Sequence, residues 1–354
     1  MRAEPSVLAF ALASALGITC VAGDVLARSP KIEVQEVAAT GVMPKGASLS
    51  PDGSRFYVTN FGQANVKNIT VYDTATLKLI DTINVPGIVV ESVLSPDGTT
   101  IYASNFQRDS VQFIDVATKK VTREIPTGSH PKILALSQDG SMLFAANWTG
   151  NSVTQIDPQT GKVLRTFKAG RHPRGTVVTK GGTLFIANFD GASIDVYGGA
   201  DFAEHHRLTA CLIPRHLALS PDETLLYISC FHDSTLHVMD VATEKIIHRV
   251  PIGSSPKSVE VSKDGRFVWS ADYGMETNSV SVVDTTDWTA RVFTVPGMDR
   301  GSGIAVMPDG QHALVTGWFD NHVYLVGFEG TGGHPKEALQ TIERWRWRRH
   351  HEGG

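Results

Sequence analysis

A short turn signature recurs seven times along the chain, and its spacing predicts an all-β, seven-bladed β-propeller. The signature is Ser-Pro-Asp-Gly or a close variant, and it begins at positions 50, 95, 137, 179, 220, 262 and 307, which are 41 to 45 residues apart. A period of about 40–45 residues is typical of propeller blades, each built from four strands. Apolar and polar residues alternate between the signatures, as half-buried strands require.

Each unit contains the turn and four short strand patterns. In the first unit the ring of Pro51 fixes its φ, and the Asp52 side chain can accept a hydrogen bond from the nearby backbone. Gly53 tolerates a positive φ, so the chain can reverse in a tight turn. The four strands are exemplified by residues 133–136 before a turn, 56–60 after one, 111–115 as a third strand and 78–83 as an outer strand.

The seventh unit lacks an outer strand of its own. After residues 324–326 the chain enters a glycine-rich stretch at 330–333. Residues 31–37, which precede the first unit, have the missing outer-strand pattern. We therefore predict that this N-terminal strand completes the last blade and removes two open sheet edges.

The two ends of the chain predict export and a basic tail. Residues 1–27 have the pattern of a signal peptide, in which Arg2 precedes an apolar run and small residues permit cleavage after Ala27. An uncleaved membrane anchor is the alternative. No further apolar span follows, so we expect a periplasmic or secreted monomer without a transmembrane span. We assign 28–330 to the propeller and 331–354 to a basic tail that either contacts an anionic partner or docks on the propeller.

Two strands of the first unit resemble a known family. Residues 56–60 are Phe-Tyr-Val-Thr-Asn and residues 71–76 are Val-Tyr-Asp-Thr-Ala-Thr. This pattern is similar to the YVTN-type repeat of YncE-like periplasmic propellers and of the wider lactonase-like, WD40-like seven-bladed group, over about residues 31–329. The resemblance implies a fold more than an activity, because such propellers include binding proteins, dehydrogenase subunits, tetrapyrrole-handling proteins and sugar lactonases.

Five of the seven units place a cation five residues before the turn signature. These cations are Lys45, Lys132, Arg174, Arg215 and Lys257, and Arg300 lies near the same position in the seventh unit. The net charge of the chain is −4, so any anion binding must come from a local cluster of this kind. Converging cations repel one another by about 1 kcal/mol per pair at 4 Å in water, and an anion would relieve this repulsion. The alternative is a set of solvated cations paired with Glu91, Asp272 or Asp299.

An aromatic residue follows the second strand of every unit. The set is Phe61, Phe106, Trp148, Phe189, Phe231, Tyr273 and Trp318. Either these rings pack between neighbouring blades, or they form a stacking wall in which Trp148 and Trp318 contact a ligand. A basic groove with aromatic residues suits single-stranded nucleic acid or a flat anionic tetrapyrrole.

Unit five concentrates cysteine and histidine. Cys211, His216, Cys230 and His232 fall in predicted loops on the side where ligands gather. They could form a Cys211–Cys230 disulfide, hold a metal ion, or include two free thiols.

His130 and His172 are the weak candidates for catalysis, and each precedes a proline at an equivalent position. They could serve as acid, base or ligand, or lie exposed on a loop. The chain has no Gly-x-Ser-x-Gly, Walker or His-Glu-x-x-His motif, and no cofactor can be assigned.

We therefore predict an exported binding protein that engages an anionic small molecule, single-stranded nucleic acid or a protein partner on its basic loop face. The alternatives are a lactonase-like hydrolase using His130, His172 and Arg174, an accessory subunit of a periplasmic redox enzyme, and a structural or adhesion propeller.

Overall fold

The computed structural model describes residues 31–275 and 277–329, and these residues form seven four-stranded antiparallel sheets. The predicted all-β, seven-bladed propeller is thereby confirmed. The predicted signal peptide at 1–27 and the basic tail at 331–354 lie outside the described residues. Among the residues that are described, no helix has the length and apolar character needed to span a membrane.

Each blade takes its strands in chain order, except the last. Blades 1 to 6 are β2–β5, β6–β9, β10–β13, β14–β17, β18–β21 and β22–β25, and blade 7 combines β26–β28 with β1. The strands are β1 Ile32–Ala39, β2 Pro44–Leu49, β3 Arg55–Asn60, β4 Ile69–Asp73, β5 Leu79–Ile83, β6 Val89–Leu94, β7 Thr100–Asn105, β8 Ser110–Asp115, β9 Val121–Pro126, β10 Pro131–Leu136, β11 Leu143–Asn147, β12 Ser152–Ile156, β13 Val163–Lys168, β14 Pro173–Val178, β15 Leu184–Asn188, β16 Ser193–Gly198, β17 Glu204–Thr209, β18 Pro214–Leu219, β19 Leu225–Cys230, β20 Thr235–Asp240, β21 Lys245–Pro251, β22 Pro256–Val261, β23 Phe267–Asp272, β24 Ser279–Asp284, β25 Thr289–Thr294, β26 Gly301–Val306, β27 His312–Gly317 and β28 His322–Phe328. A 3₁₀ helix covers Ala200–Phe202.

The first strand of each blade lines a central channel. These inner strands are β2, β6, β10, β14, β18, β22 and β26, and each contacts the inner strand of the next blade around the ring. All seven run from the side that carries the aromatic set, which we call the aromatic face, to the side that carries the Ser-Pro-Asp-Gly turns, which we call the turn face. The start of an inner strand therefore lies near the aromatic face.

The turns follow the chemistry expected from their residues. In the first, Gly53 has φ of +72° and its N–H donates to the Ser50 carbonyl at 2.8 Å. The Ser50 hydroxyl donates to Asp52 Oδ1 at 2.5 Å and accepts from the Arg55 N–H at 2.9 Å. This closed set of hydrogen bonds fixes where each inner strand ends.

Apolar side chains fill the spaces between the blades. Seven buried clusters are present, and each joins residues of two neighbouring blades. Trp269 of blade 6, for example, is fully buried in a cluster that also contains Ile304 and Tyr324 of blade 7. Such packing holds the inner strands at fixed positions around the channel.

The N-terminal strand lies in the last blade. β1 pairs antiparallel with β28, from Ile32 opposite Phe328 to Ala39 opposite His322. The hydroxyl of Tyr72 in blade 1 donates to the Ala39 carbonyl at 2.6 Å, so the same strand also contacts the next blade.

Candidate functional site

A β-bulge near the start of each inner strand positions the predicted cations. The pairing of the inner with the second strand shifts register around the cation position in all seven blades, for example between Pro44 and Gly46 and between Pro214 and His216. A bulge re-aims the side chain of the extra residue. Lys45 and Arg215 are thus the extra residues of their strands, and they lie within strands rather than in the loops that we expected.

The bulges gather the cations around one small space, which we call the central cavity. The cavity has a volume of about 20 Å³ and is lined by Lys45, Glu91, Ile133, Arg174, Arg215, His216, Lys257 and Ser258. Lys132 is buried beside this set and is repelled by Arg174, Lys45 and Arg215. Arg300 does not line the cavity, and its side chain lies 3.9 Å from Asp299.

The aromatic set contacts both itself and the cations. Six of its seven neighbouring pairs have ring centroids 5.6 to 6.4 Å apart. The seventh pair, Trp148 and Phe189, has Arg174 against both rings, at 5.4 and 4.3 Å. Lys132 Nζ lies 3.3 Å from the centroid of Trp148, and Lys257 Nζ lies 4.1 Å from that of Trp318. The same rings therefore both pack against the rings of neighbouring blades and contact the basic side chains.

Burial disfavours the charged forms of these cations. Burial and repulsion from Arg174 and other cations lower the pKa of Lys132 to about 5. The pKa of Lys257 falls well below its usual value for the same reasons, and its Nζ donates to Ser302 Oγ at 2.6 Å. Burial also lowers the pKa of Lys45, although the Glu91 carboxylate acts in the opposite direction. The buried basic groups therefore have too few negative charges around them to keep all of them protonated.

One carboxylate, that of Glu91, lines the central cavity. Burial raises its pKa, and Lys45 opposes that shift. The carboxylate occupies space left by Gly46, where an added Cβ would overlap it. Glu91 was considered from the sequence only as a surface partner for a cation.

A second buried carboxyl, that of Glu260, lies toward the turn face. There the channel widens to about 330 Å³. Burial raises the pKa of Glu260 to about 8, and its carboxyl accepts a hydrogen bond from the Val306 N–H at 3.1 Å. Sequence reasoning missed this residue. The available signal was its position two residues after Ser258, because alternate residues of a strand share a face.

Two buried donors near the central cavity lack hydrogen-bond partners within the described residues. They are Arg174 Nε and the indole Nε1 of Trp148. Buried donors are normally satisfied, and each unmade bond costs about 1–3 kcal/mol. An oxyanion placed against Arg174 would supply an acceptor.

The two candidate catalytic histidines lie on the aromatic face rather than in the central cavity. His172 Nδ1 contacts the Asp190 carboxylate, and its ring lies 4.8 Å from that of Trp148. His130 Nδ1 is 2.6 Å from the Thr149 hydroxyl, and its ring stacks on Phe106 at 4.2 Å.

The four metal candidates of unit five are not brought together. Cys211 and Cys230 are joined by a disulfide with Cα atoms 5.8 Å apart. His216 lines the central cavity, where burial lowers its pKa to about 4, and His232 lies exposed beside Asp233. His216 and Cys230 belong to strands β18 and β19, not to loops. A histidine that the sequence analysis did not consider, His237, lies beside the two sulfurs instead.

Comparison with known proteins places this geometry in a family. The model of the YNCE-like beta-propeller family matches residues 90–328. Antigen Lp49 of Leptospira interrogans is 25% identical over 166 residues, which are 42% of this chain and 36% of that protein. A 6-phosphogluconolactonase of Yersinia pestis is 27% identical over 108 residues, which are 29% of this chain and 32% of that enzyme. The chain thus spans about a third of the length of these curated relatives.

Solved structures share the architecture at lower identity. A chain from the hydrazine synthase of Kuenenia stuttgartiensis has a TM-score of 0.71 and 20% identity, covering 82% of this chain and 97% of its own length. A chain from a mitotic checkpoint complex has a TM-score of 0.71 and 16% identity, covering 91% and 98%. At such identities the likeness shows the fold alone.

Proposed function

We propose that this chain, which belongs to the YNCE-like β-propeller family, binds an anionic small molecule at the aromatic end of its central channel. The observation that carries the proposal is the central cavity, where four basic side chains line the wall with one carboxyl group. Moving ions out of water is costly unless opposite charges and hydrogen bonds compensate. Glu91 compensates in part, and an anion would supply the remaining negative charge.

The size of the cavity favours one part of a ligand over a whole one. A volume of about 20 Å³ admits roughly one water-sized group, so one oxygen of a phosphate or carboxylate can enter while the rest of that group stays outside. The rest of the ligand would remain at the aromatic face, against rings such as Trp148 and Phe189. Because the lysines are buried in a channel rather than spread along a groove, a small molecule is favoured over a nucleic acid strand.

The disulfide supports a proposal about location. Disulfides persist in the periplasm and outside the cell and are rare in the cytosol. The Cys211–Cys230 bond therefore favours export, in agreement with the signal pattern of residues 1–27.

Binding is expected to take up protons and to weaken as pH rises. Lys132 has a pKa of about 5 in the free protein, and a nearby anion would raise that value. Between the free and bound pKa values the complex holds more protons than its components, so affinity is highest at the acidic end of this window.

Isothermal titration calorimetry with inorganic phosphate and with phenyl phosphate tests both the anion binding and the proton uptake. The titrations are run at about pH 6 and about pH 8, in two buffers of different ionisation heat. We expect tighter binding of phenyl phosphate, because its ring can stack on the aromatic set. Replacing the exposed Lys263 by Ala on the turn face provides the control. If neither anion gives a binding heat at both pH values and in both buffers, the proposal is rejected.

One observation favours a second candidate, a hydrolase for a phosphorylated lactone. His172, paired with Asp190, packs on the same indole that Arg174 contacts, so a base and an anion-binding group flank Trp148. The matching 6-phosphogluconolactonase acts, by its name, on a phosphorylated lactone.

We expect turnover of that lactone to fall at least about a hundredfold in His172→Gln, because loss of a general base has an effect of this size. The control is His206→Gln, which removes a histidine paired with Glu244 on the outer strand. Turnover that persists in His172→Gln, or none in the unmodified protein, would dispose of this candidate.

A further inference from the structure

Blade 5 differs from its neighbours at three equivalent positions. These are the third residue before the inner strand, the last residue of the second strand and the third residue of the third strand. The positions hold Gly128, Asn147 and Thr154 in blade 3, Gly170, Asn188 and Asp195 in blade 4, and Gly253, Asp272 and Ser281 in blade 6.

In blades 4 and 6 the three positions form one hydrogen-bonded unit. Asn188 Nδ2 donates to Asp195 Oδ2 at 2.9 Å, and the Gly170 N–H donates to the same oxygen at 2.9 Å. A Cβ at Gly170 would lie 2.6 Å from the Asn188 side chain, so a larger residue there excludes the asparagine.

Blade 5 holds Cys211, Cys230 and His237 at these positions. All three are buried, and the two sulfurs and a nitrogen of the imidazole lie within 4.8 Å of one another. The disulfide accounts for the two cysteines but not for the histidine. No hydrogen bond is formed by either ring nitrogen of His237 within the part of the chain that the structure describes.

His237 is 8% exposed, and a ring nitrogen with no hydrogen bond to the protein can bind a metal ion. The neutral imidazole is the form that binds metals.

We propose that Cys211, Cys230 and His237 form a redox-gated site for Zn²⁺ between blades 4 and 5. Two thiolates and one imidazole, with a fourth position open to water, are a donor set that Zn²⁺ accepts. In the disulfide form the sulfurs are bonded to each other and the site is closed. A dithiol opens it by passing two electrons and two protons to the sulfurs, and is itself oxidised to a disulfide. Zn²⁺ then displaces the two thiol protons.

The test uses the full chain with Co²⁺ as a coloured substitute for Zn²⁺. A phosphine reduces the disulfide without competing for metal, taking its oxygen from water as it becomes the phosphine oxide. We expect one Co²⁺ per reduced chain, with a thiolate-to-cobalt charge-transfer band that Zn²⁺ removes, and no band in the oxidised chain. His237→Gln should weaken binding at least about tenfold, since one ligand is lost. His232→Gln removes an exposed histidine of the same blade and is expected to bind normally.

Zinc protection of the thiols gives a second measurement that needs no variant. In the reduced wild-type chain, Zn²⁺ should slow alkylation of both cysteines, as followed by mass spectrometry. A reduced chain that binds no Co²⁺ and alkylates equally fast with Zn²⁺ would overturn the proposal. Binding that His237→Gln leaves unchanged would do so as well, and in that case His237 only fills space beside the disulfide.

Discussion

Replacing both channel arginines by methionine, as Arg174→Met with Arg215→Met, is expected to lower the affinity for phenyl phosphate at least about a hundredfold. Each arginine can give a charge-assisted hydrogen bond worth about 1.5–3 kcal/mol, and 1.4 kcal/mol is about tenfold in affinity. The two side chains share a cavity, so their effects will not add simply. Calorimetric titration of the double variant measures the loss.

The same variant is expected to unfold at a higher temperature. Burial lowers the pKa of both arginines, and Arg215 depresses that of Lys257 in turn. Replacing buried charges by apolar groups of similar size often stabilises a protein by about 1–4 kcal/mol. Methionine can keep the packing against Phe189 and Phe231.

The paired readouts distinguish a binding role from a structural one. Arg249→Met, an exposed change on the outer strand of blade 5, should alter neither affinity nor unfolding temperature. A double variant that unfolds earlier and binds phenyl phosphate as before would show that the arginines only support the fold.

Deleting residues 31–39 is expected to abolish cooperative unfolding. Seven residue pairs join β1 to β28, and the strand also accepts the Tyr72 hydrogen bond from blade 1. Without it, β28 becomes an open edge and the apolar cluster of blades 6 and 7 loses Ile32. Circular dichroism during heating measures the result. A sharp transition at the wild-type temperature would mean that the ring is held closed by other contacts.

A matched pair of point variants tests the same strand without removing it. Ile32 is 6% exposed and Val37 is 44% exposed. Ile32→Asp should lower the free energy of unfolding by about 3 kcal/mol or more, because it buries an unpaired carboxylate. Val37→Asp should change it by less than about 0.5 kcal/mol. Equal effects would contradict the role given to Ile32.

The architecture could be predicted because its signals are local. Pro51, Asp52 and Gly53 determine a turn wherever they occur together, and seven such turns at one spacing leave few folds available. The cation positions could be predicted for the same reason, since equivalent positions of a repeat superpose. Trp148 and Trp318 were placed beside those cations by the same comparison.

The depth of the site could not be predicted, because it depends on pairing between strands. No single residue type indicates that a bulge will turn Lys45 into the channel. The distance of a residue from the turn signature also does not show whether that residue lies in a loop or in a strand. Arg300 was grouped with the cations by proximity in sequence, yet it lies two positions before Ser302, which holds the equivalent bulge position of its blade. His237 escaped notice because its nearness to the cysteines arises only from the register of β19 and β20.

The order of charges along the channel makes the two faces unequal to a diffusing anion. The Arg174 guanidinium, which keeps a pKa of about 10, lies toward the aromatic face, whereas the path from the turn face passes the carboxyl of Glu260, which is protonated at neutral pH because burial raises its pKa to about 8. Low-dielectric walls focus such fields and steer association. An anion that binds as proposed would therefore enter and leave through the aromatic face. Any macromolecule that covers the aromatic face would control the exchange of that anion with the surroundings, whether or not it touches a single cation.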